Sequence, residues 1–212
     1  MKSSLQIHDL SPQDTEELMK SAVTRTYPRN TIIINEGDDT DSVYFILSGI
    51  VKVFLSDDDG NEVVIGTLKA SDYFGEMALE PGSRSASIMA LEPVTLAIVR
   101  LTDFRAFLMA HPDFLFALLC KLIRRTRATN RNLKSLALLD VYGRLVQLLN
   151  DLAVDVNGQR VIDQPLTQQE MANRIGCSRE MVSKIFKDLT AGGYLVITRQ
   201  KIDIMRRLPA SW

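Results

Sequence analysis

The sequence predicts an α+β chain in three consecutive parts: an N-terminal antiparallel barrel or sandwich, a long helix, and a C-terminal helix-turn-helix closed by a small hairpin. Three observations carry this. Between Thr31 and about Val99, six short runs rich in β-branched and aromatic residues alternate with turn residues. From Pro112 to about Asn150 the apolar period is helical almost throughout. Between Leu166 and Leu189, "LTQQEMANRIGCSREMVSKIFKDL" holds two short amphipathic patterns on either side of one glycine.

The elements follow in order. Ser11–Thr24 reads as a short helix, with Ser11 as N-cap, Pro12 at the first helical position and Glu16–Glu17 near its start. "TIIIN", "SVYFILSG", "IVKVFLS", "EVVIGTL", "SASIMAL" and "VTLAIVR" read as strands, separated by turns such as "EGDD", "KASDYFG" and "EPGS". The clearest hairpin is "LSDDDGNEVV", turning at Asp59-Gly60. "LTDFRAFLMAHP" is a short helix. In the long helix, Leu115, Leu118, Leu122, Thr126, Thr129, Leu133 and Leu136 step by threes and fours, close to a heptad seam. A helix of that length is more than one small domain covers, so a second copy alongside is the simplest partner. A further helix, "LLDVYGRLVQLLNDLAV", follows a hinge near Leu138–Asp140, and "VNGQR" is a turn. "GYLVITRQKIDIMR" closes the chain as a small hairpin around "TRQK".

Composition bounds the function. With 212 residues, 46% hydrophobic and 24% charged, the chain suits one large or two modest soluble domains. It has no apolar run of the ~18–20 residues a bilayer span needs. The start, "MKSSLQIHDLSPQDTEELM", lacks a signal-peptide core, which points to the cytosol and away from a membrane. Cys120 and Cys177 form no CxxC pair, and His8 and His111 are too few for a metal cluster. A jelly-roll enzyme using a metal would need more histidines than these. The net charge of −1 hides an asymmetry: Met1–Pro112 has 9 Lys+Arg against 17 Asp+Glu, and Asp113–Trp212 has 16 against 9. A basic half points to a polyanion, the alternative being pairing of the two halves with each other.

In the C-terminal stretch, Thr167 is an N-cap and Glu170 completes a capping box. Met171, Ile175, Val182, Ile185 and Leu189 point inward, and Ala172 is small where two helices cross. Gly176 takes the positive φ of a sharp turn and Ser178 caps the next helix. In a helix-turn-helix the start of the second helix meets base edges in the major groove. Here that start is Ser178, Arg179, Glu180, Ser183 and Lys184. Arg forks to guanine and Glu accepts from the cytosine amino group. Lys184 and Lys187 reach guanine or phosphate. The alternative for a pair such as Glu180–Lys184 is a solvated helix face.

That stretch, together with "YFGEMALEPGSRSAS" and "LALLDVYGRL", resembles the cyclic AMP receptor protein and fumarate–nitrate regulator (Crp/Fnr) family over nearly the whole chain. The resemblance implies a cyclic-nucleotide-binding-type β-barrel (double-stranded β-helix, or jelly roll) over 1–111. A dimerisation helix over 112–138 and a winged helix-turn-helix over 139–212 follow it. It implies a homodimeric, allosteric transcription regulator that is not an enzyme and that binds a two-fold site on double-stranded DNA, with RNA polymerase as a further partner. "FGEMALEPGSRSAS" resembles the family's phosphate-binding cassette. Arg84, Ser85 and the backbone around Gly75–Met77 would then hold the phosphate of a cyclic nucleotide, cyclic AMP first, and Glu76 its ribose. Val53, Ile65, Gly66 and Leu68 would line the barrel, and Thr129 and Asn130 would meet the base. The DNA face would extend to Thr167, Gln168, Gln169 and Arg199. Two alternatives stand beside this: a constitutive DNA binder with a vestigial pocket, and Glu76–Arg84 as a buried ion pair serving the barrel alone. The family's iron–sulfur and haem sensors need N-terminal cysteines or axial histidines that the barrel segment lacks.

Overall fold

The computed structural model describes residues 10–60, 62–163, 165–198 and 200–209. Two compact units result, Met1–Ser56 with Val64–Thr126, and Asp57–Val63 with Arg127–Trp212, so the boundary falls inside the long helix.

The first unit opens with α1 (Pro12–Lys20), capped by the Ser11 side chain, which accepts from the Asp14 amide. Helix α1 ends earlier than the sequence suggests, because Val23–Tyr27 is already strand β1. β2 (Ile32–Ile34), β3 (Ser42–Ser48), β4 (Ile50–Ser56), β5 (Glu62–Lys69), β6 (Tyr73–Phe74), β7 (Ser87–Ala90) and β8 (Val94–Arg100) follow. They form two four-stranded sheets, ordered β1-β8-β3-β6 and β2-β7-β4-β5, with antiparallel pairings. The two sheets make a jelly roll rather than a barrel closed by continuous pairing.

β3 and β8 are unbroken apolar runs because both of their faces are covered. Tyr44 and Ile46 of β3, with Val94 and Leu96 of β8, face the other sheet. Val43, Phe45, Ala97 and Val99, on the opposite faces, meet the helices. There Phe45, Tyr73, Phe104 and Phe114 pack tilted or edge-on, with centroids 5.6–6.4 Å apart. Each fully buried ring contributes roughly 1.5–3 kcal/mol.

α2 (Leu101–Ala110) and α3 (Pro112–Leu138) meet at His111. The His111 ring stacks on Phe107 and faces Asp14 and Glu17 of α1. α3 corrects the expected seam at two positions, while Leu115, Leu133 and Leu136 of that seam are exposed. Leu118 is 2% exposed and Leu122 is half-buried, both against the core of the first unit. The apolar face left open carries Phe116, Leu119 and Ile123, and further along Leu133. With Thr126 and Asn130 between them, these residues step by threes and fours. A helix lying on its own sheet has two apolar faces, and periodicity alone does not say which face belongs to which neighbour.

The second unit takes the last turns of α3, then α4 (Val141–Leu152), β9 (Val154–Val156), β10 (Gln159–Asp163), α5 (Gln168–Ile175), α6 (Arg179–Ala191), β11 (Leu195–Ile197) and β12 (Lys201–Ile204). Its sheet runs β11-β12-β10-β9. The core joins Tyr142, Leu145 and Leu149 of α4 to Met171, Ala172 and Ile175 of α5 and to Val182, Ile185, Phe186 and Leu189 of α6.

Candidate functional site

The first candidate site is the turn between β6 and β7. Gly75 adopts φ 85°, and a Cβ there would stand 2.8 Å from the Ser42 carbonyl oxygen and 3.0 Å from Arg84 Nη1. Only glycine lets the chain pass so close to the Arg84 guanidinium. A single 3₁₀ turn, Glu76–Leu79, follows. Arg84, 7% exposed, turns its guanidinium inward. It donates to Thr40 Oγ1 at 2.6 Å, to the Ser42 carbonyl at 2.7 Å and to the Gly75 carbonyl at 2.9 Å. Burial pushes its pKa below the ordinary value, opposed by the charges of Tyr44, Glu76, Asp41 and Asp38.

Glu76, 2% exposed, pairs with Arg125 of α3. The Glu76–Arg84 ion pair that stood as the alternative is not formed: Glu76 pairs with Arg125, and Arg84 with neutral oxygens. Arg125 also donates to the Tyr73 carbonyl at 3.0 Å. One turn earlier, Lys121 pairs with Asp72 at 3.1 Å and lies 3.7 Å over the Tyr73 ring. Arg125 escaped the sequence reading. Its signal was its place on the same helix face as Leu118 and Leu122, where a cation needs a partner.

Ser85 and Met77 are exposed, with the Ser85 hydroxyl 3.3 Å from the Met77 sulfur. Val53 and Leu68 pack at the border of the inter-sheet core. Ile65 does not join them: it is 47% exposed on the outer face of β5, while Val64, Gly66 and Leu68 are half-buried. Successive strand residues face opposite sides, so Ile65 and Gly66 cannot line one surface. Thr129 and Asn130 are exposed on α3, in the part that belongs to the second unit.

The second candidate site is built from α5 and α6. Thr167 accepts from the Glu170 amide at 3.2 Å, and its own amide donates to Glu170 Oε2 at 2.7 Å, which completes the capping box. Gly176 ends α5 at φ 64°. Ser178 caps α6 by accepting from the Met181 amide at 3.3 Å. All five residues expected to point inward, with Ala172 and the unforeseen Phe186, are buried. Arg179, Glu180, Ser183, Lys184 and Lys187 all remain exposed on one helix. The side chains at the start of α5 are partly committed: Thr167 to its cap, and Gln169 to Asn173 Oδ1 at 2.8 Å. Gln168 is half-buried, and Arg199 lies outside the described residues. Burial raises the Cys177 thiol above its usual range, against the opposing charge of Arg144. Among the described residues no group of three His, Cys, Asp or Glu side chains is placed to hold a metal ion.

Two known domain families match this chain. Residues 24–111 match the cyclic nucleotide-binding domain and residues 143–208 the Crp-like helix-turn-helix domain. The cAMP-activated global transcriptional regulator CRP of Pasteurella multocida is 36% identical over 171 residues, 77% of this chain and 80% of that protein. The cAMP-activated global transcriptional regulator Vfr of Pseudomonas aeruginosa is 34% identical over 84% of this chain and 87% of that protein. Among solved structures, the c-di-GMP responsive global regulator CLP of Xanthomonas campestris superposes with a TM-score of 0.81 at 27% identity, covering 92% of this chain and 99% of that one.

Proposed function

The chain belongs to the Crp/Fnr family of transcriptional regulators, and on that premise we propose that it acts as a homodimer that reads a two-fold site on double-stranded DNA under the control of a cyclic nucleotide. One observation carries the DNA half of this reading. Gly176 and Ser178 set a second helix whose exposed N-terminal end presents Arg179, Glu180 and Lys184, groups able to read base edges. The open apolar face of α3 at Phe116, Leu119 and Ile123 supports a second copy as its cover.

Cyclic AMP is the first candidate effector, because the relatives carry cAMP activation in their names. Arg84 would supply the cation and Ser85 a hydroxyl, with Glu76 and the Gly75–Met77 backbone beside them. Val53, Gly66 and Leu68 would border the ligand, and Thr129 and Asn130 would meet its base. Binding would shift the joint at Leu138–Asp140 between two arrangements, setting the recognition helices about one DNA turn, ~34 Å, apart. RNA polymerase would then meet the DNA-bound dimer.

A second reading, a regulator that binds DNA without a nucleotide, is favoured by one feature. Arg84 is held by three neutral oxygens and Glu76 by Arg125, so the cassette's charged groups are already satisfied. Titration calorimetry with cyclic AMP, cyclic GMP and cyclic di-GMP separates the two. Saturable binding of one nucleotide that tightens operator affinity supports the first reading. No heat from any of them, with operator binding intact, supports the second.

A further inference from the structure

The basic excess of the C-terminal half does not sit with the recognition helix. Of its 16 Lys+Arg and 9 Asp+Glu, α3 holds six and one, and Leu139–Trp212 holds ten and eight. The helix-turn-helix part is thus close to neutral, and most of the excess that points to a polyanion belongs to α3. The α3 cations fall into two sets. Lys121 and Arg125 are paired with Asp72 and Glu76. Arg124, Arg127, Arg131 and Lys134 are exposed, and among the described residues none of these four has a hydrogen-bond or ion-pair partner.

The four step by three, four and three, which sets them in one row along the helix. The row lies about a quarter turn away from Phe116, Leu119 and Ile123, and so forms a face of its own. Residues three and four apart on a helix are neighbours, and like charges there destabilise it. Beyond Asp113, α3 carries no carboxylate to offset them. Several cations elsewhere in the second unit are tied down by contrast. Arg144 donates to the Ile175 carbonyl, Arg160 to Asn150 and Arg206 to the Gly192 carbonyl, while Lys201 pairs with Asp203.

Arg127, Arg131 and Lys134 belong to the same compact unit as α6. They span about 10 Å of helix axis, and one strand of B-DNA presents about three phosphates over that length. A guanidinium forks to two phosphate oxygens, and a lysine meets them as a point charge. We infer that this row is a second DNA-binding surface: it holds phosphates of the duplex flanking the base pairs that α6 reads. It contributes affinity and salt dependence without sequence preference. This deepens the DNA-binding reading above and rests on it.

The test uses full-length protein and the triple variant Arg127→Gln, Arg131→Gln, Lys134→Gln. Glutamine removes the charge and keeps the helix, so melting temperature and sedimentation should match the parent. Both proteins are titrated over a salt series on three duplexes. The first is the site the parent selects from random DNA, cut to its two half-sites. The second extends that site by about one helical turn at either end, and the third is mixed-sequence DNA of the longer length. At low salt the parent should bind the extended site about tenfold or more tightly than the short one, and the triple variant should lose that advantage. On the extended site the triple variant should lower the salt slope by about three for each chain bound. Arg131→Gln alone should lower it by about one for each chain, which keeps the test open should the triple variant melt early. The selected consensus should stay that of the parent. A parent indifferent to length, a triple variant that keeps the advantage, or one whose consensus changes overturns the proposal. So does a triple variant that sediments as a monomer, which gives the row to a second copy instead. If the parent selects no DNA sequence, the regulator reading fails, and the salt slope on mixed-sequence DNA, lowered by the triple variant or not, still decides the row.

Discussion

The Glu76 carboxylate is paired with Arg125 on α3, while Arg84, its near neighbour in sequence, spends its guanidinium on the oxygens of Thr40, Ser42 and Gly75. A carboxylate 2% exposed depends on its cation, because removing one member of a buried pair leaves an uncompensated charge. Arg125→Met should therefore lower stability by about 2–3 kcal/mol, short of the full buried-pair cost because the Arg125 side chain is partly wetted. Adding Glu76→Gln should return part of that loss. Urea unfolding of the parent, both single variants and the double variant gives the cycle. A double variant no better than Arg125→Met alone would rule out the pair as the source.

Lys121 and Asp72, whose side chains are 13% and 19% exposed, make the second tie between α3 and the β6 region. Burial holds the Lys121 ammonium below its ordinary value near 10.5, and Asp72 opposes that shift. A base with a lowered folded-state pKa loses its proton in the folded chain before the unfolded one. Between the folded value and 10.5 the unfolded chain binds more protons, so this group makes stability rise with pH through that window. Asp72→Asn removes the opposing charge and should extend the window towards lower pH. The variant should lose about 1–3 kcal/mol at neutral pH and regain part of it as the solution becomes alkaline. Unfolding measured from pH 7 to 10 checks this, and an identical loss at every pH would contradict it.

The face of α3 that is open and the face that is buried call for different outcomes. Leu119→Glu with Ile123→Glu alters only exposed apolar side chains, so the chain should stay folded and sediment as a monomer without operator affinity. Leu122→Glu places a charge against the core of the first unit and should lower the melting temperature instead. Sedimentation and thermal unfolding distinguish the two. A dimer that survives Leu119→Glu with Ile123→Glu would place the interface elsewhere.

What the sequence disclosed, and what it hid, follow from where the signals lie. β3 and β8 were plain because strands covered on both faces are apolar throughout, and α5 and α6 because their caps are local chemistry at Thr167, Gly176 and Ser178. β1, β6, β9 and β10 were not. "VTRTY" and "VDV" are edge strands with mostly exposed residues, and β6 is only two residues long. β1 pairs with β8, β6 with β3 and β10 with β12, all distant in the chain, whereas β9 and β10 are a short local hairpin across Asn157-Gly158. At the cassette, Gly75, Glu76 and Arg84 were found by motif. Their bonding to Ser42, Thr40 and Arg125 depends on contacts that span 42 to 49 positions and leave no local trace. Ile65 was misplaced for a reason visible in the sequence itself, the alternation along β5.

The exposed end of α6 yields the sharpest expectation. Arg179 and Glu180 are its first two residues, where a recognition helix reaches deepest into the major groove. Arg179 should fork to a guanine and Glu180 accept from a cytosine on an adjacent pair. Replacing either with alanine should cost about 1–3 kcal/mol and relax preference at one position of each half-site. Lys187, two turns on, should meet phosphate, so Lys187→Ala should weaken all sequences alike and reduce the salt slope by about one. Lys184 sits between these roles. A lysine cannot fork as arginine does, so the base pair it reaches should be the least strictly selected of those contacted. Ser183 is exposed on the same face and should follow the phosphate pattern if its hydroxyl meets the backbone. Selection from random DNA, repeated for each variant at two salt concentrations, separates these roles. A parent consensus without guanine in each half-site, or an Arg179→Ala variant that keeps the parent consensus, would refute the assignment of Arg179.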